Sequence, residues 1–258
     1  MPAPDGADPD AAFTRGRVTP VSLPGQRLIP RPPSVVAPGA VHLPGWLDDR
    51  VRRDLASACR EWAASAGGFR SPRMPRGGTM SVQITCLGWH WSPYRYSRHR
   101  DDGDGGRVAA FPGWLGDLGR RAVADAGAVD RRIWSPEPGA PTDRPPDFRP
   151  DVALVNRYGP GARMGMHVDR DEPSPAPVVS ISLGDTAVFR FGTPAGRGRP
   201  WTDVALESGD LFVFGGPSRR AYHGVPRVLA GTGDPGAGVE SGRFNITLRE
   251  SGLSDAPG

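Results

Sequence analysis

VALVNRYGPGARMGMHVDRDEPSPAPVVSISLGDTAVFRF, residues 152–191, sets four short β-like runs between turn residues. The runs are VALVNRY (152–158), MGMHV (164–168), VVSISL (178–183) and TAVFRF (186–191). TDVALE (202–207), DLFVF (210–214) and RFNITLR (243–249) continue the pattern. Short strands punctuated by Gly, Pro and Asp predict a sandwich or jelly roll, not βαβ units.

Outward from this stretch the character changes. Residues 135–150 are too rich in proline for regular structure, and 230–242 (AGTGDPGAGVESG) reads as a flexible loop. One helix is expected from about Leu47 to Ala66. Asp48 or Asp49 caps it, Val51, Leu55, Cys59 and Trp62 form its apolar stripe, and Gly67-Gly68 stops it. A second helix is expected over Gly113 to Ala126, ended by Gly127. Between them, Thr79 to Arg100 is rich in aromatics and arginine. Residues 21–46 read as extended and proline-broken, and 1–20 as a poorly ordered leader.

The chain has 258 residues, enough for one or two domains, and its 36 Gly and 30 Pro argue against a helical bundle. All 32 basic residues counted with lysine are arginines, and the net charge of +4 permits a nucleic-acid partner without demanding one. Two cysteines, Cys59 and Cys86, exclude a disulfide framework and a Cys-rich zinc site. No apolar stretch is long enough for a membrane span. The acidic, Pro/Ala-rich N-terminus lacks the features of a signal peptide, so a cytoplasmic protein is expected.

Side chains alternate along a strand, so His167 and Asp169 share a face while Met166 and Val168 take the other. Such a pair can bind a metal ion together, although most HxD pairs standing alone are surface or capping residues. Of the five histidines, His223 is the only other one in the β-rich half. Two histidines and a carboxylate make the facial triad of non-haem Fe(II) oxygenases. In RFNITLR, Arg243, Asn245, Thr247 and Arg249 lie on one face, opposite Phe244, Ile246 and Leu248. Two guanidiniums facing one cavity call for a dianion, whereas an exposed edge strand would simply solvate them. Asn156 and Tyr158, cofacial on VALVNRY, can hydrogen-bond a carboxylate.

NRYGPGARMGMHVDRDEP, VSISLGDTAVFRFG, SGDLFVFGGPSRRAYHG and RFNITLR together resemble the AlkB family of Fe(II)/2-oxoglutarate dioxygenases, and most narrowly its bacterial DNA-repair branch. The close match covers about residues 150–250, with a weaker one through GGTMSVQITCLGW and YRYS. The resemblance implies an α+β, mainly β fold with a double-stranded β-helix (jelly roll) core over 151–250. Residues 21–150 would form an N-terminal extension with two buttressing helices and a nucleotide-recognition lid at 79–100, in one compact domain.

It also implies that His167, Asp169 and His223 hold Fe(II). Asn156, Tyr158, Arg243, Asn245 and Arg249 would bind 2-oxoglutarate. Arg249 and Asn156 would take the iron-proximal carboxylate, and Arg243, Tyr158 and Asn245 the distal one, with the assignment of ends open. With O2 the enzyme would hydroxylate N-methyl groups of N1-methyladenine and N3-methylcytosine in single-stranded DNA or RNA, releasing formaldehyde, succinate and CO2. Trp89, Tyr94, Met80 and Asp171 become candidate substrate contacts. The first three also suit an ordinary core, and Asp171 a turn. Arg95, Arg98 and Arg100, with Arg197 and Arg199, are candidate phosphate contacts or solvated loop residues. A monomer is expected. Two other readings remain at this point. One is a hydroxylase of a protein side chain or small molecule. The other is a non-catalytic cupin-like module, which would have lost a ligand position, and none is lost.

Overall fold

The computed structural model describes residues 31–75, 77–103, 105–134 and 147–254; the expected leader at 1–20 and most of the proline-rich stretch lie outside them. In chain order the elements are β1 (Ser34–Ala37), β2 (Ala40–Leu43), α1 (Asp49–Ser65), β3 (Gln83–Leu87), β4 (His90–Ser92), β5 (Arg95–Ser97) and α2 (Gly113–Val129). Then come β6 (Val152–Tyr158), β7 (Met164–His167), β8 (Val178–Gly184), β9 (Thr186–Phe191), β10 (Thr202–Leu206), β11 (Leu211–Phe214), β12 (His223–Leu229) and β13 (Arg243–Arg249).

A long sheet runs β1-β2-β11-β8-β13-β6-β3 and a short one β10-β9-β12-β7, every pairing being antiparallel; β4 and β5 form a separate hairpin. This is the expected jelly roll. Strand alternation divides the core in two. Phe244, Ile246 and Leu248 of β13 pack with Leu55 and Cys59 of α1 and Leu115, Ala122 and Val123 of α2. The opposite parity of the long sheet meets the short one, where Phe189, Phe191, Phe212 and Phe214 pack together. The two helices therefore buttress one face of the long sheet, leaving its other face to the site.

Asp48 caps α1 by accepting from Val51 N at 2.8 Å. α2 does not end at Gly127 but passes through it to Val129. The glycine is there because a Cβ would stand 1.4 Å from the Trp134 ring. Residues 34–43, expected only to be extended, form two strands, and β2 reaches the long sheet through β11. β3 joins the same sheet beside β6, so only β4–β5 remains of the expected lid strip as a separate hairpin. β12 escaped notice because Gly224 and Pro226 interrupt it; register shifts at those positions absorb them. The loop expected to be flexible at 230–242 is tethered instead. Asp185 accepts from Thr232 N (3.0 Å), Gly233 N (2.9 Å) and Gly242 N (3.0 Å), drawing both ends to one carboxylate. No described helix is long and apolar enough to cross a membrane.

Candidate metal centre and active site

His223 on β12 stands directly opposite His167 on β7, and their ring centroids are 4.4 Å apart. β7 ends at His167, so Asp169 joins them from the turn beyond the strand rather than by continued pleating. Its carboxylate lies 3.6 Å from His167 Nε2 and 3.7 Å from His223 Nε2. Backbone anchors fix this turn: Arg219 Nη1 and Arg220 Nη1 both donate to the Asp169 carbonyl, at 2.9 and 2.5 Å. The three ligating atoms fall within 4.8 Å of one another, as a shared metal ion requires.

Each imidazole is turned the right way. His167 Nδ1 faces Gly165 O and His223 Nδ1 faces Ala221 O, both at 3.0 Å. A carbonyl only accepts, so Nδ1 carries the proton and Nε2 offers its lone pair to the cluster centre. Burial, then the neighbouring His167, lowers the His223 pKa to about 4, keeping it neutral at ordinary pH. Burial opposes ionisation of Asp169, but the Arg249 guanidinium and then the two imidazoles outweigh it and hold the carboxyl below its usual range.

The cluster lines a cavity of about 510 Å³. Arg243, Asn245, Thr247 and Arg249 of β13 line it too, with Asn156 and Tyr158 of the neighbouring β6. Arg249 lies between two carboxylates, with Nη2 2.8 Å from Asp169 and Nη1 2.7 Å from Glu172. Arg243 is 2 % exposed, donates to Ser182 Oγ at 3.0 Å and packs its guanidinium 5.0 Å from the Tyr158 ring centroid.

Residues 39–249 match the sequence profile of the 2OG-Fe(II) oxygenase superfamily. The chain is 38% identical over 239 residues to the alpha-ketoglutarate-dependent dioxygenase AlkB homolog of Caulobacter vibrioides, covering 90% of this chain and 96% of that protein. It belongs to the AlkB family of 2-oxoglutarate- and Fe(II)-dependent oxygenases. It is also 39% identical over 198 residues to the AlkB dioxygenase of Escherichia coli K12, covering 74% of this chain and 82% of that one. The solved structure of OsALKBH1 matches at TM-score 0.73 and 32% identity, covering 84% of this chain and all of the other.

AlkB-family oxygenases use Fe(II), 2-oxoglutarate and O2, and the residues present fit them. Nε and Nη1 of Arg243 and Nε of Arg249 are buried without a hydrogen-bond partner among the described residues. Unpaired buried guanidinium N–H groups are costly, and an incoming dicarboxylate would satisfy them.

Of the four candidate substrate contacts, Tyr94, Met80 and Asp171 line the cavity of this AlkB-family protein and Trp89 does not. Trp89 is buried in the core, donates from Nε1 to Asp151 at 3.0 Å and lies under the Arg98 guanidinium at 3.7 Å. Gly88 explains the diversion. It takes φ +77°, and a Cβ there would stand 1.9 Å from Asp151 O, so the chain hugs residue 151 and aims Trp89 at its carboxylate. Trp91 lines the cavity instead and donates to Asp171 Oδ2 at 2.9 Å. Asp171 is thus engaged as a partner to an aromatic wall rather than as a bare turn residue. Tyr94, at the hairpin tip, is 69% exposed.

Arg98 and Arg100 serve the fold, donating to Gly88 O and Ala66 O. Arg95 is exposed, Arg197 reaches the cavity rim over Tyr222, and Arg199 packs on Trp201. Trp91, Tyr96 and Glu172 were missed by sequence reading. The available signal was HWSPYRYS itself, whose Ser-Pro-Tyr turn pairs Trp91 with Tyr96 across a hairpin.

Proposed function

We propose that this protein oxidatively demethylates N-alkylated bases in DNA, with N1-methyladenine and N3-methylcytosine in single strands, of DNA or RNA, as its substrates. The observation that carries the reading is a His–Asp–His cluster, with Asp169 and His223 buried and His167 half-buried, beside two under-satisfied arginines in a cavity also lined by Trp91, Tyr94 and Asp171. His167, Asp169 and His223 would hold Fe(II). Arg249 with Asn156 would hold one carboxylate of 2-oxoglutarate, and Arg243 with Tyr158 and Asn245 the other. Bound iron, with 2-oxoglutarate and O2, supplies the oxidation that hydroxylates the N-methyl carbon, which leaves as formaldehyde beside succinate and CO2.

The chain's own residues position and select. Both proposed lesions are cationic, and the ring of Trp91 with the carboxylate of Asp171 suits a flat cation. Bases in single strands are already unpaired, which lowers the cost of seating one in a cavity. Related proteins support nucleic-acid substrates: those of Arabidopsis thaliana at 32% and 30% identity are named DNA N(6)-methyladenine demethylases.

The test is formaldehyde release from oligonucleotides carrying N1-methyladenine, N3-methylcytosine or N6-methyladenine, supplied with Fe(II), 2-oxoglutarate and ascorbate in air. Release from the first two supports the reading. Release from N6-methyladenine alone moves the substrate to that base, and succinate without formaldehyde from any of them points to a protein or small-molecule substrate.

A further inference from the structure

The turn from Asp169 to Glu172 carries three carboxylates with three different attachments. Asp169 faces the two imidazoles. Asp171 accepts from Trp91 on β4. Glu172 accepts from Tyr96 Oη on β5 and from Arg249 Nη1 on β13. Hairpin β4–β5 is therefore fastened to the turn at two points, and its second point is also the anchor of Arg249.

Glu172 is fully enclosed, its side chain at 0% exposure. A buried carboxylate needs partners, and it has them: Arg249 at 2.7 Å, Arg219 Nη2 at 3.3 Å and the Tyr96 hydroxyl. Tyr96 uses its single oxygen twice, donating to Glu172 and accepting from Arg249 Nη1 at 3.1 Å. Arg249 is clamped at both terminal nitrogens, by Asp169 on one side and by Glu172 and Tyr96 on the other, while its buried Nε has no hydrogen-bond partner among the described residues. Glu172 thereby balances the pull of Asp169 on the same guanidinium.

We propose that Glu172 and Tyr96 are positioning residues that set Arg249 for the carboxylate of 2-oxoglutarate and, through hairpin β4–β5, link cosubstrate affinity to occupancy of the substrate wall. The proposal rests on the reading of Arg249 as a 2-oxoglutarate contact. Its physical content is a shared hydrogen-bonded unit. A base held against Trp91 steadies the hairpin, the hairpin steadies Tyr96, and Tyr96 steadies Arg249. Linkage is reciprocal, so 2-oxoglutarate must tighten substrate binding by the same factor.

Calorimetric titration of 2-oxoglutarate into the iron-loaded protein under anaerobic conditions tests it, with and without a methylated oligonucleotide. Glu172→Gln, which keeps shape and removes charge, is expected to weaken 2-oxoglutarate at least roughly tenfold in the absence of oligonucleotide. In the unaltered protein the oligonucleotide is expected to tighten 2-oxoglutarate about fivefold, and Tyr96→Phe to bring that ratio close to one. Tyr96→Phe removes one oxygen and keeps the ring, and its melting midpoint and circular dichroism verify that it folds; a purely structural tyrosine would leave the ratio intact. Unchanged 2-oxoglutarate affinity in Glu172→Gln overturns the proposal, as does a full ratio in Tyr96→Phe. An oligonucleotide that neither binds nor yields formaldehyde counts against the substrate reading alone, and the oligonucleotide-free titration of Glu172→Gln still decides the role of Glu172.

Discussion

Arg243 shows how a single side chain trades stability for readiness. Its guanidinium is buried, donates to Ser182, packs on the Tyr158 ring and keeps two nitrogens without a hydrogen-bond partner among the described residues. Replacing it with an apolar residue of similar length removes that desolvation cost. Arg243→Met is expected to raise the stability of the ligand-free protein by about 1–2 kcal/mol while abolishing stabilisation by 2-oxoglutarate, read by melting with and without the acid. The two tryptophans supply a second contrast. Trp91→Ala is expected to weaken oligonucleotide binding with little change in melting. Trp89→Ala removes a buried ring and one of the three hydrogen bonds that Asp151 accepts, and is expected to cost about 3–5 kcal/mol of stability. Equal stability losses in the two variants would mean that Trp91 is packing rather than a contact wall. Sequence alternation sorted RFNITLR correctly because the two-residue period is local to the strand. Trp89 was a candidate by resemblance alone, and it lies outside the cavity because residue 89 precedes β4 and a backbone contact between Gly88 and Asp151, distant in sequence, turns it away.

Elements are joined here by buried carboxylates. Asp210, fully buried at the start of β11, accepts from His42 Nε2 on β2 at 2.9 Å, from both terminal nitrogens of Arg31 at 2.7 Å and from Gly45 N at 2.8 Å. Burial opposes its charge, but His42, Arg31 and two backbone N–H groups prevail and lower its pKa from 3.8. A carboxylate whose folded value is depressed stabilises fully above its unfolded value and loses that contribution as pH falls through the folded one. Acid titration of stability should therefore show a limb below pH 3.8 that Asp210→Asn diminishes, along with a loss of roughly 3 kcal/mol near neutrality. An unchanged acid limb would remove Asp210 from this account. Asp185 is the parallel case at the tethered loop. Neither role was legible beforehand, since a lone aspartate beside a glycine reads as a turn residue until the partner strands are assembled. Seven of the eight strands between 152 and 249 were legible, because their β-branched and aromatic content and turn residues are contiguous. β1, β2 and β12 were not, because proline and glycine mask strands whose pairing comes from distant partners.

For the whole molecule, the site gathers contributions from both sheets and a turn, so ligands should stabilise the folded chain as a unit. Iron-loaded protein given 2-oxoglutarate anaerobically at about one hundred times its dissociation constant is expected to gain about 2.7 kcal/mol, or roughly 5–10 °C in melting midpoint. Arg249→Ala should lose most of that gain, whereas a variant at exposed Arg95 should keep it. The family assignment was readable from four motifs alone, because the two histidines, the aspartate and the arginines each sit in a short contiguous run of the sequence. The substrate wall was less so, because it is assembled by a hairpin that belongs to neither sheet.

The two imidazoles hang from the short sheet, while both guanidiniums hang from the long one. A slip between the layers of one residue, about 3.3 Å, would pull the two guanidiniums away from the two imidazoles without breaking a single ladder within either sheet. Heat or pressure that loosens the phenylalanine seam should therefore silence the enzyme while its circular dichroism still looks native. Inactivation would then report shear between intact layers, well ahead of unravelling.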